Sequence, residues 1–175
     1  KNEYLLTSAE PNLTWLIENA ADLNVSINDI SKDMAALSLQ GPNSREILNS
    51  ISSKSINDLK FFWLTNTTLN DIPVTISRTG YTGDLGYELW LKPKHALELW
   101  DMLIESGRSF GITPAGLQAL DIARIEAALL LLDVDYISAR HAIIENRKSS
   151  PIELGLNWTI KMTDDDFIGK NKLMN

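Results

Sequence analysis

Residues 78–90 read Arg-Thr-Gly-Tyr-Thr-Gly-Asp-Leu-Gly-Tyr-Glu-Leu-Trp, and the three glycines spaced three apart restrict what the flanking chain can become. A strand is expected to end at Arg78 and another to begin near Tyr87. Between them, Gly80, Gly83 and Gly86 let the loop take positive φ and approach a ligand closely. Side chains alternate along a strand, so Tyr87, Leu89 and Leu91 share one face and Glu88 and Trp90 share the other. Both faces look fit for burial, yet one carries a carboxylate. A buried charge without a partner is expensive, so Glu88 has to be paired, hydrogen-bonded, protonated or aimed at a ligand.

A carboxylate beside aromatic rings suits a flat heterocycle with adjacent N–H donors. Its two oxygens accept two parallel hydrogen bonds, while Tyr81 or Trp90 covers a ring face. The alternative is a structural ion pair from Glu88 to Arg78 or Arg124, and on spacing alone that is the commoner arrangement.

The rest of the chain alternates strand-like and helix-like segments. Glu3 to Ser8 reads as a short strand, and Pro11 opens a helix with the stripe Leu13, Leu16, Ile17, Ala20 and Ala21. Leu37 and Leu39 alternate into the turn Gln40-Gly41-Pro42, and Asn43 to Ile51 forms a helix with Ile47 and Leu48 inward. The run Phe61-Phe62-Trp63-Leu64 is expected to be buried. Asn66 to Asp71 reads as a polar turn region, and Val74 and Ile76 alternate toward Arg78. Leu97 to Gly107 is helical. Thr113-Pro114 is expected to cap a helix running to about Ala128, with Arg124 partly inside and Asp121 three residues before it as a partner. Ser138 to Ser150 is polar and loop-like. Asn157 to Lys161 reads as a strand, and Phe167 to Leu173 as a short helix capped by Asp164, Asp165 and Asp166. Few crossovers are long and apolar enough for a parallel sheet. The pattern predicts an α+β fold, mainly antiparallel sheets backed by helices. A boundary near 52–58 divides it into a partial sheet-and-helix subdomain, 1–55, and a second, 56–175.

A net charge of −7 with scattered cations argues against a nucleic-acid surface. No apolar run reaches the ~20 residues that cross a membrane, and no signal peptide is visible. The chain has no cysteine, which excludes disulfides and thiolate metal sites and fits a reducing compartment. The expected location is the cytoplasm, or the mitochondrial matrix in a eukaryotic cell. Asp133 and Asp135 point the same way if their segment is extended, but two carboxylates without further ligands read as a solvated turn, and no metal site is expected. His95 and His141 lack a triad-like context and are expected at the surface. No phosphate-loop or dinucleotide motif is present.

Residues 78–88 resemble the signature of the folate-binding aminomethyltransferase family, which includes the T-protein of the glycine cleavage system. Ala36-Leu-Ser-Leu-Gln-Gly-Pro-Asn43, Gly116-Leu-Gln-Ala-Leu-Asp-Ile-Ala-Arg-Ile-Glu-Ala127, Ser150-Pro-Ile-Glu-Leu-Gly-Leu-Asn-Trp158 and Phe167-Ile-Gly-Lys170 resemble further family segments in the same order. The resemblance covers nearly the whole chain but only the middle of family members. It therefore implies that the family's catalytic aspartate and C-terminal barrel lie outside this chain, and that the piece alone is not a competent enzyme.

The resemblance further implies tetrahydrofolate as cofactor, with Glu88 and Tyr81 contacting it, and a small amine or methylated one-carbon donor. It leaves open a direct ligand role for Arg124 and the participation of a lipoyl carrier protein. Leu120 stands where glycine-cleavage members carry a folate-holding arginine, and Ala128 and Asp133 stand where the family has glycines. These departures suit a related branch acting on another donor. The implied function is one-carbon transfer to tetrahydrofolate. The alternatives are a non-catalytic folate-binding or regulatory module, or a scaffold with Glu88 locked to an arginine.

Overall fold

The computed structural model describes residues 3–163 and 166–174. Its principal elements, in chain order, are α1 (Leu13–Asn19), β1 (Ala35–Gln40), α2 (Ser44–Ile51), β2 (Leu64–Leu69), β3 (Ile72–Ser77), β4 (Gly86–Leu91), α3 (Ala96–Gly107), α4 (Leu117–Glu126) and α5 (Lys170–Leu173). They fall into two compact units, 29–129 and a second made of 1–28 with 130–175.

Unit 29–129 is built on a four-stranded antiparallel sheet in the order β1-β4-β3-β2. This is the α+β, antiparallel architecture that the alternating segments predict. Asn70 and Asp71 join β2 to β3 with φ of 41° and 71°, the positive values a two-residue hairpin connection demands. The strand β2 thus extends to Leu69, and only those two residues of the expected 66–71 turn region form the turn.

Alternation sends Leu39, Leu69, Ile72, Val74, Ile76, Tyr87, Leu89 and Leu91 to one face, where they join Ile47, Leu48 and Ile51 of α2 and Leu99 and Leu103 of α3 in a single core. The helices α2 and α3 pack on each other, α3 against β1 and α2 against β4. The boundary expected at 55/56 falls inside this unit, and the core runs across it through Ile56 and Leu59.

The run Phe61 to Leu64 is exposed, each side chain at 59–64 %. Phe62 has φ of 61°, its N–H donates to the Arg78 carbonyl, and the Trp63 carbonyl accepts from the Arg78 N–H. The run is a turn that feeds the sheet edge, so its rings contact one another and Lys60 rather than entering the core: the Phe61 and Phe62 rings lie 4.1 Å apart, tilted by 44°, and Lys60 Nζ lies 5.2 Å over Trp63.

The helix expected to start at Thr113-Pro114 begins at Leu117, after Gly116 in an extended conformation. Beyond the C-terminus of α4, Ala128 takes φ of 57°. In the second unit, residues 3–8 form no strand, and α1 starts two residues after Pro11. The expected strand at 157–161 is a single 3-10 turn, Asn157–Thr159, closed by Ile160 N–H to the Asn157 carbonyl. The helix expected from Phe167 shortens to α5, following Gly169 at φ 94°. Of its expected acidic cap, Asp164 and Asp165 lie outside the described residues. Among the described residues, no helix is long and apolar enough to cross a membrane.

Candidate functional site

The register of the sheet sets the site. Ser38 of β1 and Ser77 of β3 stand directly opposite Glu88 of β4, one on each side. A polar row thus crosses three strands on the face turned away from the core. The expectation that both faces of β4 are buried holds for one: Tyr87 and Leu89 are fully buried, whereas Glu88 and Trp90 are half-buried. Glu88 Oε2 accepts a 2.5 Å hydrogen bond from Thr79 Oγ1, and Thr79 Oγ1 lies 2.5 Å from Ser77 Oγ.

Neither arginine expected as an ion-pair partner takes that role. Arg78 Nη1 donates to the Leu59 carbonyl at 3.0 Å, drawing the guanidinium to the turn before β2. Arg124 is buried, 2 % exposed; its Nε donates to Asp121 Oδ1 at 2.7 Å, as the i, i+3 spacing predicts, and its Nη1 to the Leu129 carbonyl at 3.2 Å. Among the described residues no cation pairs with Glu88, so the carboxylate is held by a hydroxyl alone.

The loop 78–85 is pinned by Gln40, a residue whose part no local pattern discloses. Gln40 Nε2 donates to Ser38 Oγ at 3.0 Å and reaches the carbonyls of Tyr87 and Thr79 at 3.3 and 3.4 Å, while Thr82 Oγ1 reaches Gln40 Oε1 at 3.4 Å. The amide lies across Gly80 and Gly86: a Cβ on either would sit 2.0 or 1.7 Å from Gln40 Oε1. Of the three motif glycines only Gly83 uses positive φ, at 75°, and a Cβ there would meet the Ala127 Cβ at 2.4 Å. The other two are needed for space, not for conformation. Tyr81 sits half-buried in this same loop, two residues after Thr79, and Arg124 lies on α4. The structure thus places Tyr81 and Glu88 on one loop-and-strand unit and engages Arg124 with its own helix and its C-terminal turn.

The carboxylates at 133 and 135 diverge, because the segment is a turn closed by Asp133 N–H to the Tyr136 carbonyl and not an extended strand. Asp135 Oδ2 accepts from the Leu131 N–H. Asp133, at φ 61°, accepts from the Ser138 N–H at 2.8 Å and lies 3.0 Å from His141 Nδ1. The Ser138 N–H holds the Asp133 carboxyl below its ordinary value, against an opposing effect of burial and with a lesser contribution from His141. His141 is exposed as expected but stands between two carboxylates, with Glu10 Oε1 3.9 Å from its Nε2. Ser138 Oγ donates to Glu10 Oε2 at 2.8 Å, and the Arg140 guanidinium donates to the Pro11 carbonyl. These contacts tie residues 10–11 to residues 133–141.

A family model described as the GCVT N-terminal domain matches residues 1–164. The chain is 40 % identical to an aminomethyltransferase of Halothermothrix orenii, over 99 % of this chain and 47 % of that protein. It is 36 % identical to one of Alkaliphilus metalliredigens, over 98 % of this chain and 45 % of that protein. The chain therefore spans about half the length of the curated relatives it matches. A heterotetrameric sarcosine oxidase from Corynebacterium sp. U-96, solved in complex with pyrrole 2-carboxylate, aligns with a TM-score of 0.52 at 19 % identity, over 61 % of this chain and 55 % of that one. At that identity the likeness concerns the fold.

Proposed function

This chain belongs to the GCVT N-terminal domain family, and on that premise we propose that it binds tetrahydrofolate for one-carbon transfer from a small amine or methylated donor. The observation that carries the reading is Glu88: a half-buried carboxylate on the polar face of the sheet, without a cationic partner among the described residues and oriented by Thr79. A carboxylate so placed accepts the adjacent N–H donors at the pterin edge, while Trp90 on the same strand face and Tyr81 in the adjoining loop offer aromatic surface to the ring. The chemistry assigned to these residues is binding and orientation. In the transfer, the donor's one-carbon group leaves its heteroatom and bonds to a folate nitrogen, and rate follows from holding the two at reacting distance. Leu120, which neither donates a hydrogen bond nor carries charge, favours a donor other than glycine. A lipoyl carrier protein as partner belongs to the same proposal, as does Arg124 as a supporting residue.

Calorimetric titration of tetrahydrofolate into this chain and into Glu88→Ala tests the reading. Removing one partner of a buried charged hydrogen bond costs ~2–5 kcal/mol, so affinity is expected to fall at least tenfold. Equal binding to both proteins, or none to either, would sink it.

A further inference from the structure

Thr79 has one hydroxyl hydrogen, and it goes to Glu88 Oε2. The 2.5 Å contact between Ser77 Oγ and Thr79 Oγ1 therefore takes its hydrogen from Ser77, which gives a directed chain Ser77→Thr79→Glu88. All three members are half-buried. The chain begins on β3, crosses the first residues of the glycine loop and ends on β4. Its middle is fixed at the backbone too, since the Thr79 carbonyl faces Gln40 Nε2 at 3.4 Å.

The terminal torsion of a glutamate is broad and roughly two-fold, so the backbone and the inner rotamers leave the carboxylate plane undetermined. A hydroxyl donor on one oxygen removes that freedom. It occupies one lone pair of Oε2 and leaves Oε1 with no protein donor among the described residues. Recognition of a heterocycle edge through two parallel N–H bonds needs the carboxylate coplanar with that edge, and orientation established before binding lowers its cost.

We propose that Thr79 is a positioning residue for ligand recognition: its hydroxyl, supported by Ser77, sets the plane of the Glu88 carboxylate and so selects ligands that present two parallel N–H donors. This rests on the folate reading of Glu88. Thr79 touches no ligand atom in this role and acts through Glu88 alone.

The test is calorimetric titration of tetrahydrofolate into the wild-type chain and into Thr79→Val, Thr79→Ser and Glu88→Ala, with the melting temperature of each recorded. Valine keeps the shape of threonine and removes the donor; serine keeps the donor and removes the methyl group. The expected result is affinity about tenfold or more weaker in Thr79→Val and restored to within about threefold in Thr79→Ser, whichever variant melts lower. Wild-type affinity in Thr79→Val beside a weakened Glu88→Ala would overturn the role of Thr79 and leave the folate site standing. A serine variant as weak as the valine one would also overturn it, by pointing to packing. Absence of wild-type binding, or full binding by Glu88→Ala, removes the folate reading and this inference together.

Discussion

Gln40 Oε1 lies 1.7 Å from the point where a Cβ on Gly86 would begin. The two residues are register partners on β1 and β4, so the glycine is what lets the Gln40 amide fold over its neighbour and hold the loop. Gly86→Ala should displace the amide and cost about 1–3 kcal/mol, the usual range for overpacking. Because the obstacle is the far end of a flexible side chain, Gln40→Ala should suppress most of the added cost. Urea denaturation of the two single variants and the double variant measures the coupling, and additivity would contradict the assignment.

Gly83 behaves differently. Its φ of 75° and the Ala127 Cβ 2.4 Å from a Cβ at that position penalise any side chain twice. Gly83→Ala should destabilise by more than 1 kcal/mol, and Gln40→Ala should not relieve it, because the clash is with another element and the backbone strain is local. Thermal melts of the same set of variants distinguish the two glycines.

Arg124 is 2 % exposed and donates both within α4 and to the carbonyl that follows it. Lysine cannot reproduce that fork. Arg124→Lys is expected to lower stability by about 1–3 kcal/mol while changing tetrahydrofolate affinity less than Glu88→Ala does. A larger loss of affinity than of stability would make Arg124 a ligand residue.

Ala128 and Asp133, which stand where the family resemblance places glycines, hold φ of 57° and 61°. The backbone retains a conformation that suits glycine, at a cost set by the Cβ. Ala128→Gly should therefore stabilise the chain by about 0.5–1 kcal/mol in chemical denaturation. At Asp133 the hydrogen bonds to Ser138 and His141 offset the gain, and the same change there should not stabilise.

The Asp133 carboxyl sits below its ordinary value of 3.8 because the Ser138 N–H donates to it. A depressed carboxylate contributes stability that is present above the unfolded value and lost as pH falls through the folded one. Acidification below about pH 4 should thus weaken the link between residues 133 and 138, and Asp133→Asn should flatten the pH dependence of melting in that range. Side-chain carbon shifts followed through an acid titration should give a midpoint under 3.8.

What was legible in the sequence was local. Leu37 and Leu39, Val74 and Ile76, the helical span from Leu97 to Gly107 and the Asp121–Arg124 pair each carry their evidence within one element, and the structure places them as expected. The strand order is not local: β1 reaches β4 across more than forty residues, and that pairing alone brings Ser38 to Glu88 and Gln40 to Gly86. Gln40 and Thr79 therefore read as ordinary polar residues until the sheet is assembled. The Phe61 to Leu64 run misled for the converse reason, since apolar composition says nothing of the positive φ at Phe62 that makes the run a turn. Asn157 to Ile160 likewise closes a 3-10 turn that no alternation announces.

The pleat of β4 gives its residues two separate histories. The side chains of Tyr87, Leu89 and Leu91 belong to the core shared with the helices, and those of Glu88 and Trp90 stand outside it on the opposite face. A substitution at Glu88 or Trp90 should therefore alter what the open face presents while leaving the packing between sheet and helices as it is.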